Sequence, residues 1–103
     1  MKILKIKVSS RDDLKKHLVH AYNEKCFFVH NGPALSNLSE LLRALNSMTE
    51  RQFAHHVNAD KNDFAAWVEF VLLDKDCAAG LKRAGDRKKA AAVVEKALRE
   101  YQV

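Results

Sequence analysis

The 103-residue chain is 48% hydrophobic and 30% charged, with three glycines and one proline. That balance excludes a disordered polymer and disfavours an all-β fold, which spends many residues on turns; it fits one domain with a core that needs no metal or disulfide staple. The formal charge of +5 is uneven: residues 1–25 carry seven Lys/Arg against three acids, residues 86–103 five against three, and residues 26–85 six against seven.

Residues 2–8 alternate, with Leu4, Ile6 and Val8 on one side and Lys5 and Lys7 on the other, which predicts a half-buried strand with lysines suited to a sheet edge. Ser10 reads as an N-cap, with Asp12 and Asp13 in the positive first turn. Leu14, Leu18, Ala21 and Tyr22 then recur at helical spacing, predicting a helix over 11–23 with His17 and His20 on its polar side. Cys26-Phe27-Phe28-Val29-His30 has strand character, Asn31-Gly32-Pro33 a turn signal, and residues 34–36 a brief extended stretch. Parallel and antiparallel pairing of the strands 2–8 and 26–30 both remain open.

Asn37 with Glu40 predicts a capping box opening a helix striped by Leu38, Leu41, Leu42, Leu45 and Met48, and Thr49 with Gln52 predicts a second box before Phe53 and Val57. At the following corner, Asn58 suits a left-handed helix end, and Asp60 or Asn62 suits the next cap. The helix over 62–74 turns Phe64, Trp67, Val68, Val71 and Leu72 inward, with Phe70 and Leu73 widening the stripe. After a break at Asp74-Lys75-Asp76, Cys77, Ala78 and Leu81 mark a helix of about two turns, stopped by Gly85. Asp86 caps the last helix, 86–102, burying Ala90, Val94, Ala97, Leu98 and Tyr101. The expected fold is mainly α with a small N-terminal β element of two short strands. It forms a single domain over 1–103: strand and first helix in 1–25, helical core in 26–82, and the C-terminal helix.

No apolar run is long enough to cross a membrane, and lysines interrupt the N-terminus too often for a signal peptide. Cys26 and Cys77 lack CxxC spacing and read as two buried thiols, so a soluble cytoplasmic protein is expected.

His56-Val57-Asn58, then Asn62-Asp63-Phe64, then Trp67-Val68 resembles the HVNxxxNDFxxWV signature of a small uncharacterised archaeal and bacterial domain family. Phe27-Phe28-Val29-His30-Asn31-Gly32 followed by Leu38-Ser39-Glu40-Leu41-Leu42 is similar to the strand, glycine turn and helix start of the same family, so the resemblance spans residues 26–82. It implies a helical fold in which His56, Asn58, Asn62, Asp63, Phe64 and Trp67 form a structural motif. It implies no activity.

Four residues near the corner, His55, His56, Asp60 and Asp63, are of metal-ligand type, but adjacent helical histidines diverge, and capping accounts better for the Asn and Asp residues. Cys26 and His30 share a strand face beyond hydrogen-bond reach, and Asp74 and Asp76 oppose activation of Cys77. No glycine-rich phosphate loop or nucleophile elbow is present, and no cofactor is expected. Lys82, Arg83, Arg87, Lys88 and Lys89 cluster around the Gly85 turn and could contact phosphate, as could Lys2, Lys5, Lys7, Lys15 and Lys16; no aromatics are interleaved for base stacking. Helices 37–47, 50–57 and 62–74 evoke a helix-turn-helix, but the third is too apolar for a DNA groove. The expected function is a non-enzymatic binding or adaptor domain acting on a protein or on itself, away from membranes. The alternative is a basic nucleic-acid-associated protein using the Lys82–Lys89 turn.

Overall fold

A computed structural model describes residues 16–102. Among these, five α-helices carry the core: α1 (Leu38–Ser47), α2 (Glu50–His56), α3 (Asp63–Phe70), α4 (Lys75–Arg83) and α5 (Arg87–Leu98). Each begins at a side-chain cap, because the first N–H groups of a helix have no intrahelical acceptor. Asn37 Oδ1 accepts the Glu40 N–H at 2.8 Å, Thr49 Oγ1 that of Gln52 at 3.0 Å, and Asn62 Oδ1 that of Ala65 at 2.9 Å. Asp74 Oδ1 accepts the Cys77 N–H at 2.9 Å and Asp86 Oδ1 that of Lys89 at 2.7 Å. Thr49 and Gln52 form a complete capping box. Asn37 forms half of one: the Glu40 carboxylate reaches past it to the Ser36 N–H at 2.7 Å.

Helix α5 packs on α1 and α4, and α3 packs on α4. Leu38, Leu41 and Leu45 of α1, Phe64 and Val68 of α3, and Val94 of α5 are fully buried, each such side chain stabilising by about 1.5–3 kcal/mol. Ala44 completes the α1 stripe, and Leu42 lies only half-buried at its edge. Ala90 and Ala91 face the core from α5, and a Cβ on Gly80 of α4 would come within 2.8 Å of Val93 Cγ1. Small residues thus set how closely these helices approach.

Two strand pairs brace the helices. Strands β2 (Phe27–Phe28) and β3 (Ala34–Leu35) are antiparallel, with Phe27 opposite Leu35. The pair runs shorter than the predicted 26–30, and its partner is the 34–35 stretch. At the turn, Asn31 rather than Gly32 takes the left-handed conformation, φ 53°. Gly32 meets a steric need instead, since a Cβ there would lie 2.9 Å from Val29 Cγ1. Strands β1 (Lys16–His17) and β4 (Tyr101–Gln102) are parallel, and the Lys16 N–H donates to Glu100 O at 2.8 Å.

This second pair corrects two expectations. The helix over 11–23 does not exist across 16–23: Lys16–His17 is strand, the Ala21 N–H donates to Ser36 O, and Tyr22, expected inside, is 72% exposed. The final helix ends at Leu98, and Tyr101 is buried from a strand. In both places backbone bonds to distant segments outweigh a local helical period. The strand over 2–8, the Ser10 cap and residues 11–15 of the predicted helix, with Lys2, Lys5, Lys7 and Lys15, lie outside the described residues.

Helix α3 is also shorter than 62–74. The Leu72 N–H reaches back to Trp67 O and the Asp74 N–H to Val68 O, while Leu73 is left-handed at φ 63°. Asp74, beyond the end of α3, caps α4. Phe70, the last residue of α3, and Leu73 in the unwound stretch are 73% and 72% exposed, against their expected place in the inner stripe.

Candidate functional site

The corner between α2 and α3 is built by side chains acting on nearby backbone. Asn58 Oδ1 accepts the N–H groups of Asp60 at 2.8 Å and Lys61 at 3.1 Å, and the Asn58 N–H donates to Lys61 O. Asn58 is not left-handed; its side chain makes an Asx turn that does the same work. Asn62, besides capping α3, donates from Nδ2 to Leu81 O at 3.2 Å and so ties the corner to α4. Phe64 stacks between Phe27 (centroids 4.8 Å apart) and Phe53 (5.7 Å), and the Trp67 indole N–H donates to Lys25 O at 2.8 Å.

The histidines divide by role. His56 is buried, and its Nε2 accepts the His30 backbone N–H at 3.0 Å. An accepting ring nitrogen carries no proton, so the Nδ1–H of His56 donates to Asp63 Oδ2 at 3.0 Å. Both nitrogens are occupied, leaving neither for a metal or a substrate. His55 points elsewhere and stacks on His30 with centroids 3.9 Å apart. Desolvation in that stack, then repulsion from His30, His56 and Lys61, holds His55 below its ordinary pKa. Among the described residues no three His, Cys, Asp or Glu side chains gather as a metal site. His30 faces His55 rather than Cys26, whose half-buried thiol contacts Ala21 O at 3.6 Å. For Asp63, desolvation is outweighed by hydrogen bonds from His56 and Lys61, so the carboxyl sits below its ordinary range.

Outside this corner lies a cleft of about 950 Å³, walled by the corner loop, α2, α3 and the α4–α5 turn. Phe53 and Leu81 form its base; the exposed side chains Ala54 and Ala66 are too small to fill it, and Phe70 stands at its edge. Three cations border it, each already paired: Lys61 with Asp63 at 3.1 Å, Lys82 with Glu69 at 3.3 Å, and Arg87 with Glu50 at 2.9 Å. Arg87 also donates to Leu45 O at 2.7 Å. Asp60 and Asp86 add two more carboxylates, so the lining carries five acids against three bases, a net −2 on a chain of +5.

The basic cluster around Gly85 is therefore divided. Lys82 and Arg87 face this cleft, whereas Arg83 lines a separate hollow of about 290 Å³ with Lys96 and Glu100. Lys88 and Lys89 are exposed on the first turn of α5 and border neither.

One polar cluster has no sequence counterpart. The Tyr101 hydroxyl donates to the buried Asp74 Oδ2 at 2.6 Å, and Lys16 lies 3.5 Å from the same oxygen with its ammonium over the Tyr101 ring. Burial opposes Asp74 ionisation, but the bonds from Tyr101 and Cys77 N–H, with the Lys16 charge, outweigh it and keep the carboxyl below its ordinary range. Burial, then Asp74, pushes the Cys77 thiol up to about 12, which favours the protonated thiol at neutral pH. In the sequence Asp74 reads only as part of the break Asp74-Lys75-Asp76 and as a charge beside Cys77, and nothing local pairs it with Tyr101.

No helix among the described residues is long and apolar enough to cross a membrane. No protein-family model matches the chain, and no curated protein or solved structure matches it.

Proposed function

We propose that this chain is a non-enzymatic protein-binding module of the adaptor type, and that its working surface is the cleft between the α2–α3 corner and the α4–α5 turn. One observation carries the reading: the cleft presents Phe70 and exposed alanines to solvent while every cation on its border is engaged by a neighbouring carboxylate. An exposed aromatic beside small apolar side chains suits a protein contact. The reactive side chains support the same view, since His56, Asp63, Asp74 and Tyr101 are consumed in internal bonds. Membership of the family with the HVNxxxNDFxxWV signature is part of the proposal and rests on the sequence resemblance at His56, Asn58, Asn62, Asp63, Phe64 and Trp67.

The nucleic-acid alternative rests on Arg83, Lys88 and Lys89, which make no ion pair with another described residue. Anisotropy of labelled RNA and DNA across a salt series separates the two readings. The protein-binding reading expects no binding at moderate salt. Tight binding that weakens linearly with log salt and disappears on charge reversal of Arg83, Lys88 and Lys89 overturns it.

A further inference from the structure

We infer that the occupant of the cleft is a short basic segment of a partner protein, anchored by one bulky apolar side chain. The inference rests on the protein-binding reading above and adds the chemistry of the partner. Two features of the lining select it. The lining is net −2 although the chain is +5, and Asp60 and Asp86 are the two carboxylates that no cation of the cleft pairs. An acidic or phosphorylated partner meets this excess unfavourably, whereas lysine or arginine side chains complete it. The shape acts independently of charge. Ala54 and Ala66 are exposed on facing elements, α2 and α3, with Val57 half-buried between them, so the depression lacks a large side chain that a partner can supply against Phe70. Aromatic and long aliphatic anchors seated in such depressions dominate interface energetics, with charges at the rim setting partner choice.

The test is selection of a phage-displayed library of random 12-residue peptides on the full chain. Anisotropy titration of the synthetic consensus peptide and two-dimensional ¹⁵N NMR mapping follow. Enriched peptides carry net positive charge and one large apolar residue, and their shifts centre on Ala54, Ala66 and Phe70. Asp60→Lys and Phe70→Ser, both at exposed positions and both retaining the wild-type melting temperature, weaken binding about tenfold or more. An acidic consensus, no enrichment, or binding indifferent to both variants overturns the inference. Shifts centred on the exposed Tyr22 and Phe28 overturn it as well but leave the protein-binding reading standing. Specific nucleic-acid binding in the salt series removes both.

Discussion

His56 and Asp63, seven residues apart, hold the corner closed through a 3.0 Å bond from Nδ1–H to carboxylate, while the other ring nitrogen receives the backbone N–H of His30. One buried imidazole thus joins the hairpin, the end of α2 and the start of α3. Its protonation pattern is dictated by the backbone donor, which has no alternative role.

His56→Ala therefore removes an acceptor from a backbone N–H and leaves a cavity against Phe27 and Phe64, with an expected loss of about 2–4 kcal/mol in urea denaturation. Asp63→Asn, at a half-exposed position, costs less, about 1 kcal/mol. Long-range ¹H–¹⁵N NMR should find the Nδ1–H tautomer at His56. A ring protonated at Nε2 contradicts the arrangement.

Trp67 joins α3 to the turn before β2 through its indole N–H and packs edge-on to Phe27, with centroids 5.6 Å apart. Trp67→Ala is expected to lose about 3–5 kcal/mol. Trp67→Phe keeps most of the burial and gives up the bond to Lys25 O, so its cost should be smaller. An unchanged melting temperature for Trp67→Ala contradicts the buried position.

The carboxyls of Asp63 and Asp74 are both held below their ordinary range in the folded protein. Their stabilisation is present above the unfolded-state value and is lost as pH falls through the folded one, so thermal stability should decline below about pH 5. On the alkaline side burial and Asp74 push the Tyr101 hydroxyl and the Cys77 thiol upward. The unfolded chain ionises these groups first, so stability should also decline above about pH 9. Melting curves of Tyr101→Phe and Cys77→Ala should show a flatter alkaline limb. Limbs identical to wild type in both variants contradict the assignment.

Gly80 and Val93 mark the close approach of α4 and α5. Gly80→Ala gains about 1 kcal/mol of helix propensity but forces a methyl against a stiff β-branched side chain, at about 1–3 kcal/mol. Net destabilisation is expected. Adding Val93→Ala removes the collision, so the double variant should be more stable than the sum of the singles. Additivity within about 0.5 kcal/mol contradicts the close contact.

The sequence by itself determined the mainly helical class and the caps at Asn37, Thr49 and Asp86, because a cap acts within three residues of its own position. It narrowed the α3 cap to Asp60 or Asn62, of which the structure uses Asn62, and read Asp74 only as part of a break, where the structure makes it the α4 cap. The burial of Phe64, Trp67 and Val68 was legible for a similar reason, as helical spacing alone puts them on one face. Only the tertiary structure decided that Lys16–His17 is strand, since its partner Tyr101–Gln102 lies at the other end of the chain and no local period encodes that pairing. The same holds for the candidate site. The residues around Gly85 form one cluster in sequence, but a helix turn sends Lys82 and Arg87 to the cleft and Arg83 to another hollow. Phe70 belonged to an apolar run that promised burial, but it is the last residue of α3 and lies off the face that Phe64, Trp67 and Val68 turn to the core, which leaves it facing solvent. A cleft is assembled from surfaces of several elements, and their relative placement is set by packing that one-dimensional spacing does not contain.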